Sequence, residues 1–175
     1  MITNIIIPKK LTDPILNWTK ENIDNINLTS IPADHEGDLI GFRHLDWTEL
    51  PVKQWIKEVD DYISKKLNIK SLPINKDDGY WICLSKKGCK VKNHKDPKPS
   101  PKSSMIRFNL MLQKPTSGGK PVIEEDEITV KQNQVWICLA SKYYHRVTEV
   151  KGNKDRILLS IGHTIRDNKL NELGL

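Results

Sequence analysis

The sequence predicts a mainly β fold, a jelly roll whose outer sheet is buttressed by flanking helices. Three observations carry this. The residues after Gly79 divide into about seven short apolar segments separated by turn-forming residues, two helical segments precede them, and 175 residues suit one domain. There is no internal repeat.

Ile5–Ile7 form the first expected strand. Thr12 or Asp13 followed by Pro14 predicts a helix start, with Ile15, Leu16 and Trp18 as its apolar residues. Asp38–His44 predict another strand. The clearest helix runs from Leu50-Pro51 to Leu67: Val52, Trp55, Ile56, Val59, Tyr62, Ile63 and Leu67 recur at three- and four-residue intervals, with Lys53, Lys57, Asp60, Asp61 and Lys65 outside the stripe. Such a stripe needs a sheet to pack against. The later strands are expected at Tyr80–Ser85, Cys89–His94, Met105–Gln113, Val122–Val130, Gln134–Leu139, His145–Val150 and Arg156–Ile165. Lys87-Gly88, the run Pro97-Lys98-Pro99-Ser100-Pro101, Thr116-Ser117-Gly118-Gly119 and Lys151-Gly152-Asn153 supply the breaks. The acidic stretch Glu124–Glu127 reads as a bulge or an exposed strand edge protected by charge. Residues 1–76 are thus helical support and 77–166 the β core of a single domain.

Composition narrows the class. Hydrophobic content of 37% with 29% charged residues fits a soluble globular chain, and no apolar run approaches the roughly 20 residues of a membrane span. The N-terminus has too short an apolar stretch and no basic region for a signal peptide. Cys83, Cys89 and Cys138 are odd in number and form no Cys-x-x-Cys pair, which argues against a disulfide framework or zinc knuckle and favours a reducing cytoplasm. The net charge of +6 is uneven: Lys86, Lys87, Lys90, Lys92, Lys95, Lys98 and Lys102 crowd one stretch. By itself that is a solvated loop, but around a reactive site it becomes a positive rim for an anionic partner.

The chemistry begins at His94-Lys95-Asp96. At the end of a strand, His94 and Asp96 point to the same face because side chains alternate with a period of two. His145, on a later strand, brings a second imidazole. Two imidazoles and one carboxylate on one side of an ion leave three positions open, which suits non-haem iron(II) better than tetrahedral zinc. A rival His44-Leu45-Asp46 exists, but only His94 is followed, 51 residues later, by a histidine across three or four strands; the rival reads as a surface turn. His35-Glu36 reads as a polar loop, and His163 faces away from Arg156 by parity. Arg156, 11 residues after His145 across the turn at 151–155, opens the strand Arg156–Ile161. A buried guanidinium needs a carboxylate, and its planar fork matches one through two hydrogen bonds.

On these residues, from about Tyr80 to Ile165, the chain resembles the Fe(II)/2-oxoglutarate-dependent oxygenase superfamily. The resemblance implies a double-stranded β-helix, the cupin-like jelly roll of that superfamily. It implies that His94, Asp96 and His145 bind Fe(II), that Arg156 holds the far carboxylate of the cosubstrate 2-oxoglutarate, and that O2 is the oxidant of a hydroxylation yielding succinate. Two subgroups compete. Ile106–Leu112 followed by Ser117-Gly118-Gly119-Lys120 is similar to prolyl-4-hydroxylase-like proteins, which carry lysine where this chain has Arg156. Arg107-x-Asn109, with His145-Arg146-Val147 and Arg156–Leu159, is similar to the aspartyl/asparaginyl β-hydroxylases, in which an arginine and a histidine two residues on hold 2-oxoglutarate; here the second is Asn109. Arg107 and Asn109 share one strand face, and Arg107 reads alternatively as a surface ion-pair residue.

A cupin-like metal enzyme without 2-oxoglutarate would not need Arg156. In a non-catalytic β-barrel binding module the three metal-ligand residues would be accidental. The acceptor expected for the oxygenase is an anionic protein side chain, then an amino acid or small molecule. Nucleic acid ranks lower, because no exposed aromatics interleave with the basic run; Trp81 and Trp136 lie within strands and read as core.

Overall fold

The computed structural model describes residues 2–22, 35–36, 39–43, 51–69, 72–75 and 79–170. Its elements are β1 (Ile2–Ile6), α1 (Lys9–Asn22), β2 (His35–Glu36), β3 (Leu39–Arg43), α2 (Pro51–Lys66), β4 (Tyr80–Ser85), β5 (Lys90–His94), β6 (Ser103–Gln113), β7 (Ser117–Gly118), β8 (Pro121–Ile123), β9 (Asp126–Glu127), β10 (Gln134–Cys138), β11 (His145–Val147), β12 (Val150–Lys151) and β13 (Arg156–Arg166). A six-stranded sheet in the order β1-β10-β6-β13-β4-β3 faces a five-stranded sheet in the order β2-β5-β11-β8-β9, and β12 pairs with β7 as a separate ribbon. Every ladder is antiparallel. This is the jelly roll expected from the strand pattern, with both helices on its outer side.

The larger sheet is covered on both faces, and parity decides which residue goes where. Ile82 and Leu84 of β4, Ile106, Phe108, Leu110 and Leu112 of β6, Val135 and Ile137 of β10, and Ile157, Leu159 and Ile161 of β13 join the helices in the main core. Their neighbours Cys83, Arg107, Asn109, Trp136, Cys138, Arg156, Leu158 and Ser160 turn the other way and line a cavity on the opposite face. Helix α2 begins with Pro51 in the first turn, where a missing N–H costs nothing. It buries Val52, Ile56, Val59 and Ile63 completely. Each is worth about 1.5–3 kcal/mol in burial, so Ile56→Ala would leave a cavity costing about 2–5 kcal/mol.

Several local expectations change. Helix α1 starts at Lys9, so Pro14 lies inside it. The N–H of Ile7 donates to the carbonyl of Asn133 and that of Leu11 to Pro8, so the chain leaves the sheet edge at Pro8 and turns at once into helix. Packing of Thr12, Ile15 and Thr19 toward the sheet outweighs the hydrogen bond that Pro14 removes. His35-Glu36 is a strand rather than a loop, pairing with Val91 and Lys90. The expected strand Val122–Val130 is broken by a turn at Glu124, whose φ is 53°, and only Asp126–Glu127 continue as the sheet's outer edge. The expected strand His145–Val150 stops at Val147, because Val150 and Lys151 pair with Gly118 and Ser117 instead. His44-Leu45-Asp46 lies outside the described residues. Among those described, no helix is long and apolar enough to cross a membrane.

Candidate metal centre

Strands β5 and β11 are hydrogen-bonded neighbours in which His94 sits directly opposite His145. Their rings tilt against each other with centroids 4.2 Å apart. Asp96 follows the end of β5, and its N–H donates to the carbonyl of Ala140, which carries the carboxylate back between the two imidazoles. Its Oδ1 lies 3.5 Å from Nε2 of His94 and 3.7 Å from Nε2 of His145. One donor atom from each of the three residues falls within 4.8 Å of the others. Donors around a first-row ion at about 2.0–2.2 Å sit roughly 3 Å apart, so a small contraction would close the set.

Each imidazole is oriented by a backbone partner. Nδ1 of His94 lies 2.9 Å from the carbonyl of Lys92, and Nδ1 of His145 lies 3.2 Å from that of Tyr143. A proton on Nδ1 donated to each carbonyl leaves both Nε2 lone pairs facing Asp96, the tautomer a metal requires. Burial, and then the neighbouring His94, hold His145 below the usual histidine range. Burial alone would raise the pKa of Asp96, but its contact with His94 and the charge and hydrogen bond of Arg107 outweigh that and hold the carboxyl well below the usual carboxylate range. The set offers two imidazole nitrogens and one carboxylate oxygen.

The same cavity, about 410 Å³, is lined by Trp81, Asn109, Val122, Trp136, Arg156 and Leu158 beyond the three donors. Arg156 opens β13 opposite Ser85 and is 1% exposed. Among the described residues nothing hydrogen-bonds its Nε or Nη2. Burial lowers its affinity for a proton, with the buried thiols Cys83 and Cys89 nearby. A guanidinium left so in a closed wall is costly unless a bound anion completes it. The glycine turn after β6 makes room for it: at Gly119 (φ 60°) an added Cβ would come 3.1 Å from Arg156 Cδ. The donor chemistry fits a divalent iron, and the orphaned fork fits the carboxylate of a cosubstrate in the same chamber.

Arg107 and Asn109 both turn into this cavity from β6. Arg107 is not a surface ion-pair residue; it is 8% exposed, with Nε donating to Oδ2 of Asp96 at 2.5 Å. Trp81 and Trp136 are cavity wall rather than main core. Ser160, Leu158 and Cys138 were not singled out from the sequence, although they share strand parity with Arg156 or with Arg107. His163 points to the far face, where its Nε2 meets Oδ1 of Asp60 at 3.0 Å.

Fold and donor set together define a jelly roll whose mouth brings together three side chains able to hold a metal ion. Solved structures share its fold. A prolyl-4-hydroxylase from Pseudomonas putida aligns over 91% of this chain and 88% of its own at TM-score 0.64 and 15% identity. A viral collagen prolyl hydroxylase from Paramecium bursaria Chlorella virus-1, in complex with 2-oxoglutarate, aligns over 91% and 92% at TM-score 0.57 and 17% identity. A 2-oxoglutarate-Fe(II) oxygenase family structure from Burkholderia pseudomallei aligns over 85% and 77% at TM-score 0.56 and 14% identity. At these identities the likeness establishes the fold, the double-stranded β-helix. The sequence matches no protein-family model and no curated relative.

Proposed function

We propose that this chain is an Fe(II)- and 2-oxoglutarate-dependent dioxygenase that hydroxylates a C–H bond of an anionic acceptor. One observation carries the reading: the donors of His94, Asp96 and His145 converge in the same cavity as a buried guanidinium, Arg156, with unmet hydrogen bonds. A cupin-type metal enzyme that dispenses with 2-oxoglutarate has no use for that guanidinium, and a binding module has none for the oriented imidazoles.

When bound, iron(II), 2-oxoglutarate and O2 supply an oxidative decarboxylation to succinate and carbon dioxide that inserts one oxygen atom into a C–H bond. The residues of the chain do the rest. His94 and His145 would hold the iron through Nε2 and Asp96 through Oδ1, a donor set that would leave room for exchangeable groups. Arg156 would hold the distal carboxylate of the cosubstrate in a charge-assisted pair and so orient it in the chamber. Trp81, Val122, Trp136 and Leu158 wall the chamber with apolar surface and exclude water from the reacting atoms.

Charge at the mouth supports the anionic acceptor. Lys95 and Arg146 follow the two ligand histidines by one residue, line the cavity and are exposed. Lys95 Nζ stands 4.3 Å from the ring centroid of Tyr144, itself 47% exposed. Elsewhere surface lysines find carboxylates, as Lys57 does with Asp61 and Lys120 with Glu127. A protein acidic side chain is the acceptor class most in keeping with this rim.

The test is anaerobic addition of Fe(II) and then 2-oxoglutarate, followed by oxygen exposure with succinate measured. Wild-type protein is expected to develop a charge-transfer band on adding 2-oxoglutarate and to form succinate on oxygenation; His94→Ala should do neither. Iron binding with no response to 2-oxoglutarate would sink the reading.

A further inference from the structure

We infer that Arg107 is a positioning residue for Asp96, holding that carboxylate as a one-oxygen metal ligand; the inference rests on the metal reading above. The division of labour at the carboxylate is the observation. Nε of Arg107 donates to Oδ2 at 2.5 Å, while Oδ1 is the atom that faces both Nε2 lone pairs at 3.5 and 3.7 Å. One oxygen is taken and the other is presented.

Asp96 needs such a holder. It lies beyond the end of β5, at the start of the proline-containing loop, so no strand ladder fixes its side chain. The two histidines are fixed on strands and oriented by carbonyls; Asp96 is held by its backbone bond to Ala140 and by the guanidinium on Oδ2. Arg107 itself is rigidly placed. It sits in the middle of β6 between β10 and β13, opposite Cys138 and opposite Gly162. Its Nη1 reaches Ser160 Oγ at 3.5 Å.

The consequence is a coordination count. With Oδ2 engaged, Asp96 supplies one ligand atom and three positions stay open, enough for a chelating cosubstrate and oxygen. Were both oxygens to turn to the metal, only two would remain, and oxygen would have no place after the cosubstrate bound. Arg107 therefore contributes by preventing chelation as much as by adding charge. This differs from a direct contact between Arg107 and the cosubstrate, the role that the Arg-x-Asn pattern implies.

The experiment uses the full chain as wild type, Arg107→Gln and Arg107→Lys, titrated anaerobically with cobalt(II) by calorimetry and visible spectroscopy. The titration is done before and after adding 2-oxoglutarate, with melting curves as a check on folding. The inference expects Arg107→Gln to weaken cobalt binding about 10–100-fold without cosubstrate, the usual effect of removing a partner that orients a ligand. It also expects the ligand-field bands to change, and Arg107→Lys to recover part of the affinity. Wild-type affinity and bands in Arg107→Gln, with only 2-oxoglutarate binding lost, would overturn it and make Arg107 a cosubstrate contact. If Arg107→Gln does not fold, Arg107→Lys decides: cobalt affinity and bands identical to wild type overturn the inference, and a partial loss of affinity with altered bands supports it. Failure of wild type itself to bind cobalt would be a distinct result, removing the metal reading and this inference together.

Discussion

Nε2 of His163 and Oδ1 of Asp60 meet at 3.0 Å across the boundary between β13 and α2, the histidine fully buried and its Nδ1 3.2 Å from the carbonyl of Leu72. The ring also packs on Phe108, with centroids 4.7 Å apart. A polar clamp thus ties the helix to the far face of the strand that carries Arg156. His163→Ala leaves the Asp60 carboxylate buried without this partner and should cost about 1–3 kcal/mol or more. Urea unfolding would show it, with metal affinity of the folded fraction unchanged.

Arg156 makes an opposite prediction for stability and for binding. Replacing it by methionine removes a guanidinium whose Nε and Nη2 are unmet. The ligand-free protein should become more stable by about 1 kcal/mol or more, since apolar replacement of buried charge is often stabilising. Binding of 2-oxoglutarate should be lost. A melting curve and a calorimetric titration on one variant separate the two effects; a lower melting temperature would show that Arg156 is satisfied in the free protein.

At Gly119 an alanine is strained twice. The backbone φ of 60° disfavours an L side chain, and the Cβ would come 2.9 Å from Pro115 Cγ and 3.1 Å from Arg156 Cδ. Gly119→Ala should cost about 1 kcal/mol or more in stability. It should also push the Arg156 fork out of line, so that 2-oxoglutarate affinity falls while cobalt affinity does not.

The thiols set an alkaline limit. Burial pushes Cys83 up to about 11 and Cys138 up to about 12, from an ordinary 9.0. Both values are raised in the folded state, so the unfolded chain ionises first. Their contribution to stability is whole below pH 9 and drains away as pH rises through 11 to 12. Melting temperature should therefore fall across that window, and less steeply in a Cys83→Ala, Cys138→Ala double variant. Alkylation at pH 8 should be slow for folded protein and fast in urea.

Much of this was legible in one dimension. The stripe from Val52 to Leu67 fixed a helix with one buried face, and α2 has it. Parity placed Arg107 and Asn109 on one face of their strand and turned His163 away from Arg156, since a strand's two faces cannot mix. His94-x-Asp96 announced two donors on one side. Less was legible where packing overrode local signals: Pro14 marked a helix start that the sheet moved back to Lys9. The tryptophans Trp81 and Trp136 read as core because burial alone does not tell an interior from a cavity wall.

By itself, then, the sequence determined the periodicities, and with them the strands, the main helix and the faces on which His94, Arg107, Asn109 and Arg156 lie. Tertiary structure alone decided which faces meet. That His94 stands opposite His145, that Asp96 gives one oxygen to Arg107 and one to the imidazoles, and that His163 finds Asp60 are pairings between distant segments. Sheet register and loop closure select them, and neither is written in local spacing.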